Sequence, residues 1–389
     1  MCVATDVFQV REKIMAIHST DFEAASMENL FGKSLEDLQA LCETEGLPKY
    51  SARQICDWLY AKHIVSIDDM TNISLKHRLQ LKQKYTIERH LPIDCQVSCD
   101  GTKKYVFSVA VQPLKVGKQA QEESHPTCGS GVMQSFIEAV YIPDGDRATL
   151  CVSCQAGCRM GCRFCVTGSN GFRGNLTASE ILNQVFSIPE FSDLSNIVYM
   201  GMGEPFDNYE AVMQSIKVIT AEWGLAWSPH RITVSTVGLL PGIERFLRES
   251  ECHLAISLHN PVAEERETIM PMQKTYPIAD TLQLLKTCDW SGQRRLSFEY
   301  TVFAGLNDDK RHADALVGLI GHLRCRVNLI RFHASPGMSF RAPTGETMQR
   351  FMDYLCARGI RCTIRASRGE DIMAACGLLA GVKSGQTKA

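Results

Sequence analysis

From Ala148 towards the C-terminus, short apolar or β-branched runs alternate with amphipathic ones, and this alternation constrains the fold more than any other feature of the chain. The strand-like runs are ATLCVS (148–153), NIVYM (196–200), RITVS (231–235), HLAISL (253–258), LSFEYTVF (296–303), VNLIRF (327–332) and CTIRA (362–366). Between them, ASEILNQVFSI (178–188), EAVMQSIKVI (210–219), DTLQLLKTC (280–288), HADALVGLIGHL (312–323) and ETMQRFMDYLCARG (346–359) place apolar residues three and four apart, the spacing of a one-faced helix. Thr177 with Glu180 spells a capping box at the start of the first of these helices. Six β–α units and a closing strand imply an α/β fold with a parallel sheet, wound open or as a barrel. Such sheets place their sites just beyond the C-terminal ends of the strands, where this sequence concentrates glycines and polar residues. The core is expected over residues 144–382.

The rest of the 389-residue chain is organised differently. Residues 1–33 lack sustained periodicity and read as an extension. Residues 34–100 are expected to form a small helical accessory module: SLEDLQALCETEG and SARQICDWLYAK carry helical spacing, with Gly46 as a stop. Lys76, Arg78, Lys82, Lys84 and Arg89 would share one basic helix face. Residues 101–143 read as two strands, KKYVFSVAV and FIEAVYIP, joined by the turn-rich loop GKQAQEESHPTCGSG. No apolar run approaches the roughly 18–20 residues of a membrane span, and the start lacks the pattern of a signal peptide. A cytoplasmic protein without a membrane partner is therefore expected. The 17 cysteines then argue for metal or redox chemistry rather than a disulfide framework. A net charge of −2 predicts no strong non-specific attraction to polyanions.

The segment Cys151-Val-Ser-Cys154-Gln-Ala-Gly-Cys158-Arg-Met-Gly-Cys162-Arg-Phe-Cys165 holds five cysteines in fifteen residues directly after a strand-like run. Cys158, Cys162 and Cys165 form a C-x3-C-x2-C loop. Three thiolates would leave one iron of a [4Fe–4S] cluster without a protein ligand, open to the amino and carboxylate groups of S-adenosylmethionine (SAM). The same stretch also spells C-x2-C-x7-C-x2-C through Cys151, Cys154, Cys162 and Cys165, a zinc pattern that would suit a noncatalytic RNA-binding protein. One strand later, Tyr199-Met-Gly-Met-Gly203-Glu204-Pro205 offers glycines for close backbone approach and a carboxylate for an ammonium group.

A C-x3-C-x2-C loop followed by GMGEP resembles the radical-SAM superfamily. More closely, ATLCVSCQAGCRMGCRFC, GMGEP, RITVSTVG, AISLH and RGEDIMAACG are similar to the RNA adenine-C2 methyltransferases, the RlmN group of the RlmN/Cfr family, over about residues 34–382. The resemblance implies a partial (β/α)6 radical-SAM barrel with an N-terminal helical RNA-binding module. It implies methylation of C2 of one adenosine in the peptidyl transferase centre of 23S rRNA and, in dual-specificity members, of the adenosine 3′ of the tRNA anticodon. The implied cofactors are a [4Fe–4S] cluster and two SAM per turnover, and a reducing donor of flavodoxin or ferredoxin type is a required partner.

By this resemblance Cys158, Cys162 and Cys165 match the cluster ligands, and Gly203, Glu204, Ser235, Ser257, Leu258 and His259 match SAM-binding positions. Cys376 matches the methyl-carrying cysteine, Cys151 the resolving cysteine and Glu138 the proton acceptor. His333 stands in the SAM-contacting turn after the sixth strand where many members have asparagine; histidine retains one hydrogen-bonding role there. Cys154 has no role in the pattern. The implied mechanism methylates Cys376 first, since adenine C2 has no nucleophilic lone pair. A 5′-deoxyadenosyl radical then activates the S-methyl group for addition to C2, and Cys151 releases the product by forming a disulfide. Contact with RNA is assigned to the basic segment 76–89 and to Arg358, Arg361, Arg365 and Arg368. The rival branch methylates C8; GEP after GMG, and SRGEDI before AACG, favour C2.

Overall fold

A computed structural model describes residues 27–111, 127–128, 132–335 and 337–380. The described residues divide into two compact units: 27–31 with Leu35–Glu88, and Gly32–Ser34 with those from Arg89 onward.

In the first unit, β1 (Glu28–Asn29) pairs in parallel with β2 (Tyr85–Thr86), and between them in the chain lie helices α1 (Leu35–Thr44), α2 (Ser51–Cys56) and α3 (Leu75–Leu81). Leu38, Cys42, Ile55, Tyr60 and Leu81 are fully buried and form its core. Two expectations change here. Residues 1–26 lie outside the described residues, but the end of the expected extension is structured, because Leu30 and Phe31 are buried and residues 28–29 form a strand. The single basic helix face is not formed: α3 ends at Leu81, so Lys82, Lys84 and Arg89 lie beyond it. Two of its lysines are also engaged, Lys82 with Asp68 at 2.6 Å and Lys84 with the buried Glu45 at 2.9 Å.

The second unit is built on one large sheet. It opens with antiparallel strands β3 (Asp94–Val97), β4 (Lys103–Val111), β5 (Thr127–Cys128) and β6 (Val132–Asp144), and β6 runs antiparallel to β7 (Arg147–Cys151). Strand β3 pairs with β4, so the helical module stops at residue 88 rather than at the expected 100. The expected loop 117–131 lies outside the described residues apart from Thr127 and Cys128, which pair with β6. After β7 come a small ribbon of β8 (Gln155–Gly157) and β9 (Phe172–Asn175), with the short α4 (Val166–Ser169) between them.

The alternating region follows in chain order: α5 (Ala178–Phe186), β10 (Asn196–Tyr199), α6 (Tyr209–Thr220), β11 (Ile232–Thr236), α7 (Leu240–Glu249), β12 (His253–Ser257), α8 (Ala263–Ile269), α9 (Ile278–Lys286), β13 (Leu296–Val302), α10 (Lys310–Ile320), β14 (Cys325–Arg331), α11 (Gly345–Cys356) and β15 (Arg361–Ile364). The sheet order is β15-β14-β13-β12-β11-β10-β7-β6-β4-β3, parallel from β7 to β15. This is the expected set of six β–α units and a closing strand. Both halves of the Thr177–Glu180 capping box are present at α5. Helix α7 escapes the periodicity reading because it opens on Leu-Pro-Gly, which spells a turn; proline is tolerated in a first helical turn, and Gly242 lies against Phe206. No helix among the described residues is long and apolar enough to cross a membrane.

Candidate active site

A cavity of about 430 Å³ opens at the C-terminal ends of the parallel strands. Its wall takes Cys151 from β7, Val198 from β10, Ser235 from β11, Ser257 from β12, Glu299 from β13, Ile330 from β14 and Arg365 just past β15. Since the first and last parallel strands line one space, the sheet curls into a partial barrel. The volume suits a small-molecule cofactor.

Cys158, Cys162 and Cys165 all line this cavity, on the loop between β8 and α4. Gly157 starts the loop at φ +75°, with the Gly171 carbonyl so near that a Cβ would fall 1.8 Å from it. That crossing lets the Cys158 N–H donate to Gly171 O at 3.0 Å. The Arg163 N–H donates to Ile269 O at 2.9 Å, and Phe164 sets its ring edge-on to His259 at 4.8 Å. Burial raises the Cys158 thiol to about 12 and holds Cys162 well above its usual range. Such thiols stay protonated until a metal centre displaces the protons. Cys154, which the four-thiolate zinc pattern requires, is buried and does not line the cavity. Among the described residues, no three His, Cys, Asp or Glu side chains converge to share a single ion. Three separated thiols around one open cavity instead fit a cluster with one iron left for a small ligand.

The turn after β10 is locked to the cysteine segment by Gln155. Its amide donates to Asn175 at 2.8 Å and Asp207 at 2.7 Å, and its carbonyl oxygen accepts the Glu204 N–H at 2.9 Å. Gly203, at φ +101°, lies so close that a Cβ would meet Gln155 at 2.5 Å. Glu204 faces the cavity but is nearly inaccessible, and each carboxylate oxygen already accepts a backbone N–H, from Phe206 at 3.1 Å and from Val237 at 2.9 Å. It thereby ties the turn after β10 to the turn after β11. Burial raises this carboxyl to about 7 against the lowering effect of those bonds.

Ser235, Ser257, His259 and His333 line the cavity with Gly203 and Glu204. His259 is a non-glycine residue at φ +56°, held there by Asn307, whose amide donates to the His259 carbonyl at 2.6 Å. Its Nδ1 accepts the Thr301 N–H at 2.9 Å, and burial lowers the ring to about 3. The imidazole is therefore neutral, with its proton on Nε2. His333 is buried, with Nδ1 3.1 Å from Glu370. Leu258 is the one expected SAM-contacting residue outside the cavity wall. It is fully buried, and its N–H is spent on Glu299 O at 3.0 Å.

Cys151 and Cys376 are free thiols lining the same cavity. Cys376 lies on a turn rather than a helix, between Met373 at φ +53° and Gly377 at φ +87°. Its segment is fastened to α4: the Val166 N–H donates to Gly377 O at 2.8 Å, Thr167 Oγ1 to Leu379 O at 2.6 Å, and Asn170 to Ala380 O at 3.0 Å. Cys376 is open to solvent yet surrounded by protein, which raises it to about 11; burial brings Cys151 to about 12. Arg365 opposes both shifts and is 3.5 Å from Glu299, which also lines the cavity. Arg365, which its basic neighbours in sequence mark only as an RNA contact, thus shares the cavity with both cysteines. Glu138 does not line the cavity. It is fully buried, accepts the Ala380 N–H at 2.8 Å and lies 3.5 Å from Lys104.

Residues 152–316 match the profile of the Radical SAM superfamily, and residues 28–87 that of the Ribosomal RNA large subunit methyltransferase N-terminal domain. A "Probable dual-specificity RNA methyltransferase RlmN" of Phocaeicola vulgatus is 49% identical over 92% of this chain and 97% of its own length. The "Dual-specificity RNA methyltransferase RlmN" of Syntrophus aciditrophicus is 40% identical over 91% of this chain and 96% of its own. Among solved structures, a radical SAM methyltransferase from Sphaerobacter thermophilus superposes with a TM-score of 0.78 at 37% identity, over 91% of this chain and 100% of that one.

Proposed function

The chain belongs to the RlmN family of radical-SAM methyltransferases, and from that premise we propose that it methylates C2 of one adenosine in 23S rRNA and of the adenosine 3′ of the tRNA anticodon, using a methyl group carried on Cys376. Its cofactors are a [4Fe–4S] cluster and SAM. Cys158, Cys162 and Cys165 are the residues that would hold the cluster, with Gly203, Ser235, Ser257, His259 and His333 around the SAM. When bound, the pair supplies reductive cleavage that yields a radical able to take hydrogen from a methyl group. The observation that carries the reading is the convergence of the three loop cysteines with Cys151 and Cys376 on one cavity.

The protein's own part follows from that placement. Cys376 loses its thiol proton and takes a methyl group on sulfur; that group gives up one hydrogen atom, and its carbon is joined to adenine C2 with loss of one electron, for which the oxidised cluster would be the acceptor, so that protein and RNA are covalently linked. The Cys151 thiolate attacks the Cys376 sulfur, making an S–S bond and breaking the bond from sulfur to the methylene carbon. The electron pair of that bond goes to the carbon, which takes a proton and leaves as the product methyl group. Arg365 favours the thiolate this attack needs. The resemblance gives the C2 proton to Glu138; since that carboxylate is fully buried behind the cavity wall, between Lys104 and the Ala380 N–H, it can receive the proton only after the Ala380 segment moves aside. His259, neutral and with Nε2–H available, is a fixed donor towards the cavity. Arg358, Arg361 and Arg368 would meet phosphates, while the target base leaves its stack to enter the cavity. A reducing protein of flavodoxin or ferredoxin type supplies electrons, and ribosomal and transfer RNA substrates put the enzyme in the cytoplasm.

The test is mass spectrometry of Cys151→Ala expressed with its host's ribosomes. A nucleotide adduct on the peptide containing Cys376 is expected, with its linkage at C2; linkage at C8 would move the chain to the rival branch. An iron-loaded protein with neither adduct nor S-methylcysteine would overturn both cysteine roles.

A further inference from the structure

Arg266, on α8, is among the largest wholly buried side chains of the molecule. Its guanidinium donates to four neutral oxygens: Leu258 O at 3.0 Å, Val237 O and Ser257 O each at 2.9 Å, and the Gln273 side chain at 2.5 Å. Among the described residues no carboxylate pairs with it. A buried charge without an opposite charge is costly even when hydrogen-bonded, so this cation is expected to have a counter-charge in the working protein.

Arg266 stands directly behind the cavity wall, since Val237 and Ser257, whose carbonyls it holds, both line the cavity that Cys162 also lines. Two further links bring the Cys162 loop to the end of α8. Cys162 packs against the buried cluster of Ile269, Met270, Phe303 and Phe332, which includes the end of α8, and the Arg163 N–H donates to Ile269 O at 2.9 Å. We infer that Arg266 is the built-in counter-cation of the iron–sulfur cluster, a positioning residue that holds positive charge beside the Cys162 ligand and favours the reduced state. This rests on the assignment of Cys158, Cys162 and Cys165 as cluster ligands. A cluster held by three thiolates carries negative charge that grows on reduction, and a fixed cation in a low-dielectric wall stabilises the more negative state more strongly.

The test uses anaerobically reconstituted full-length protein: wild type, Arg266→Gln, Arg266→Lys and Gln273→Glu. Two quantities are read: the midpoint potential of the cluster by titration followed with electron paramagnetic resonance, and the rise in Tm on cluster loading. In Arg266→Gln the potential should move to more negative values and the rise in Tm should shrink, while Arg266→Lys should recover most of both. Gln273→Glu leaves the arginine in place but gives it a carboxylate partner, so it should shift the potential in the same direction, and it serves if Arg266→Gln does not fold. Normal iron content with a wild-type potential in either neutralising variant would show Arg266 to be a structural brace and overturn the inference. A wild-type protein that takes up no iron would instead overturn the ligand assignment on which it rests.

Discussion

Glu204 illustrates how a single residue can be found in sequence and yet do something further in the fold. Its position after Gly203 marks it as facing a ligand, and it does line the cavity, but each of its oxygens also holds the backbone of a different turn. Burial raises its carboxyl to about 7, against roughly 4.3 for a free glutamate. In the folded apoprotein it therefore keeps a proton that the unfolded chain has lost. Its contribution to stability is full below the unfolded value and falls away as pH rises through about 7. Glu204→Gln should lose one of the two backbone bonds, costing about 1 kcal/mol at any pH. It should also abolish the fall between those values, so the variant gains on wild type as pH increases. Urea unfolding of the apoproteins across this range measures both effects. Arg266 lies at the other extreme of legibility. In AEERETI it stands among glutamates, as on any solvated helix face, and only tertiary packing shows that it is buried. His259 falls between the two: the motif marks it, but the left-handed backbone depends on Asn307, which is distant in sequence.

Elements were readable where their signals are local. The seven parallel strands and the capping box follow from runs of a few residues, and each is present. Signals failed where the chain's meaning depends on what packs against it. Helix α7 begins like a turn and is helical because Pro241 can open a helix and Gly242 can lie against Phe206. The basic segment 76–89 has helical spacing, yet Tyr85 and Thr86 are taken into a strand by Glu28 and Asn29. Two substitutions separate stability from site geometry at this scale. Thr177→Ala removes the cap of α5 and should cost about 1 kcal/mol in chemical denaturation while leaving iron content unchanged. Gly157→Ala would drive a methyl group into the Gly171 carbonyl where the cysteine loop begins. It should lower iron bound per chain after reconstitution even in the fraction that remains folded.

For the molecule as a whole, a net charge of −2 means that affinity for RNA must come from local contacts. Several candidate cations are already committed, including Lys82 to Asp68 and Lys84 to Glu45. The logarithm of RNA affinity should therefore fall with the logarithm of salt concentration at a shallow slope of about −1.5 to −3, corresponding to roughly two to four phosphates. Fluorescence anisotropy over a salt series checks this, and a steep slope would mean that a larger basic surface is engaged. The bonds from Val166, Thr167 and Asn170 to the Gly377–Ala380 segment have a consequence in time as well as in space. The residues they join are more than 200 positions apart, so a ribosome making this chain releases the three loop cysteines long before it polymerises Cys376. Seating that cysteine can therefore only follow the synthesis of the loop it is fastened to, and on the function proposed above the nascent protein presents until then a loop for iron with nothing to carry a methyl group.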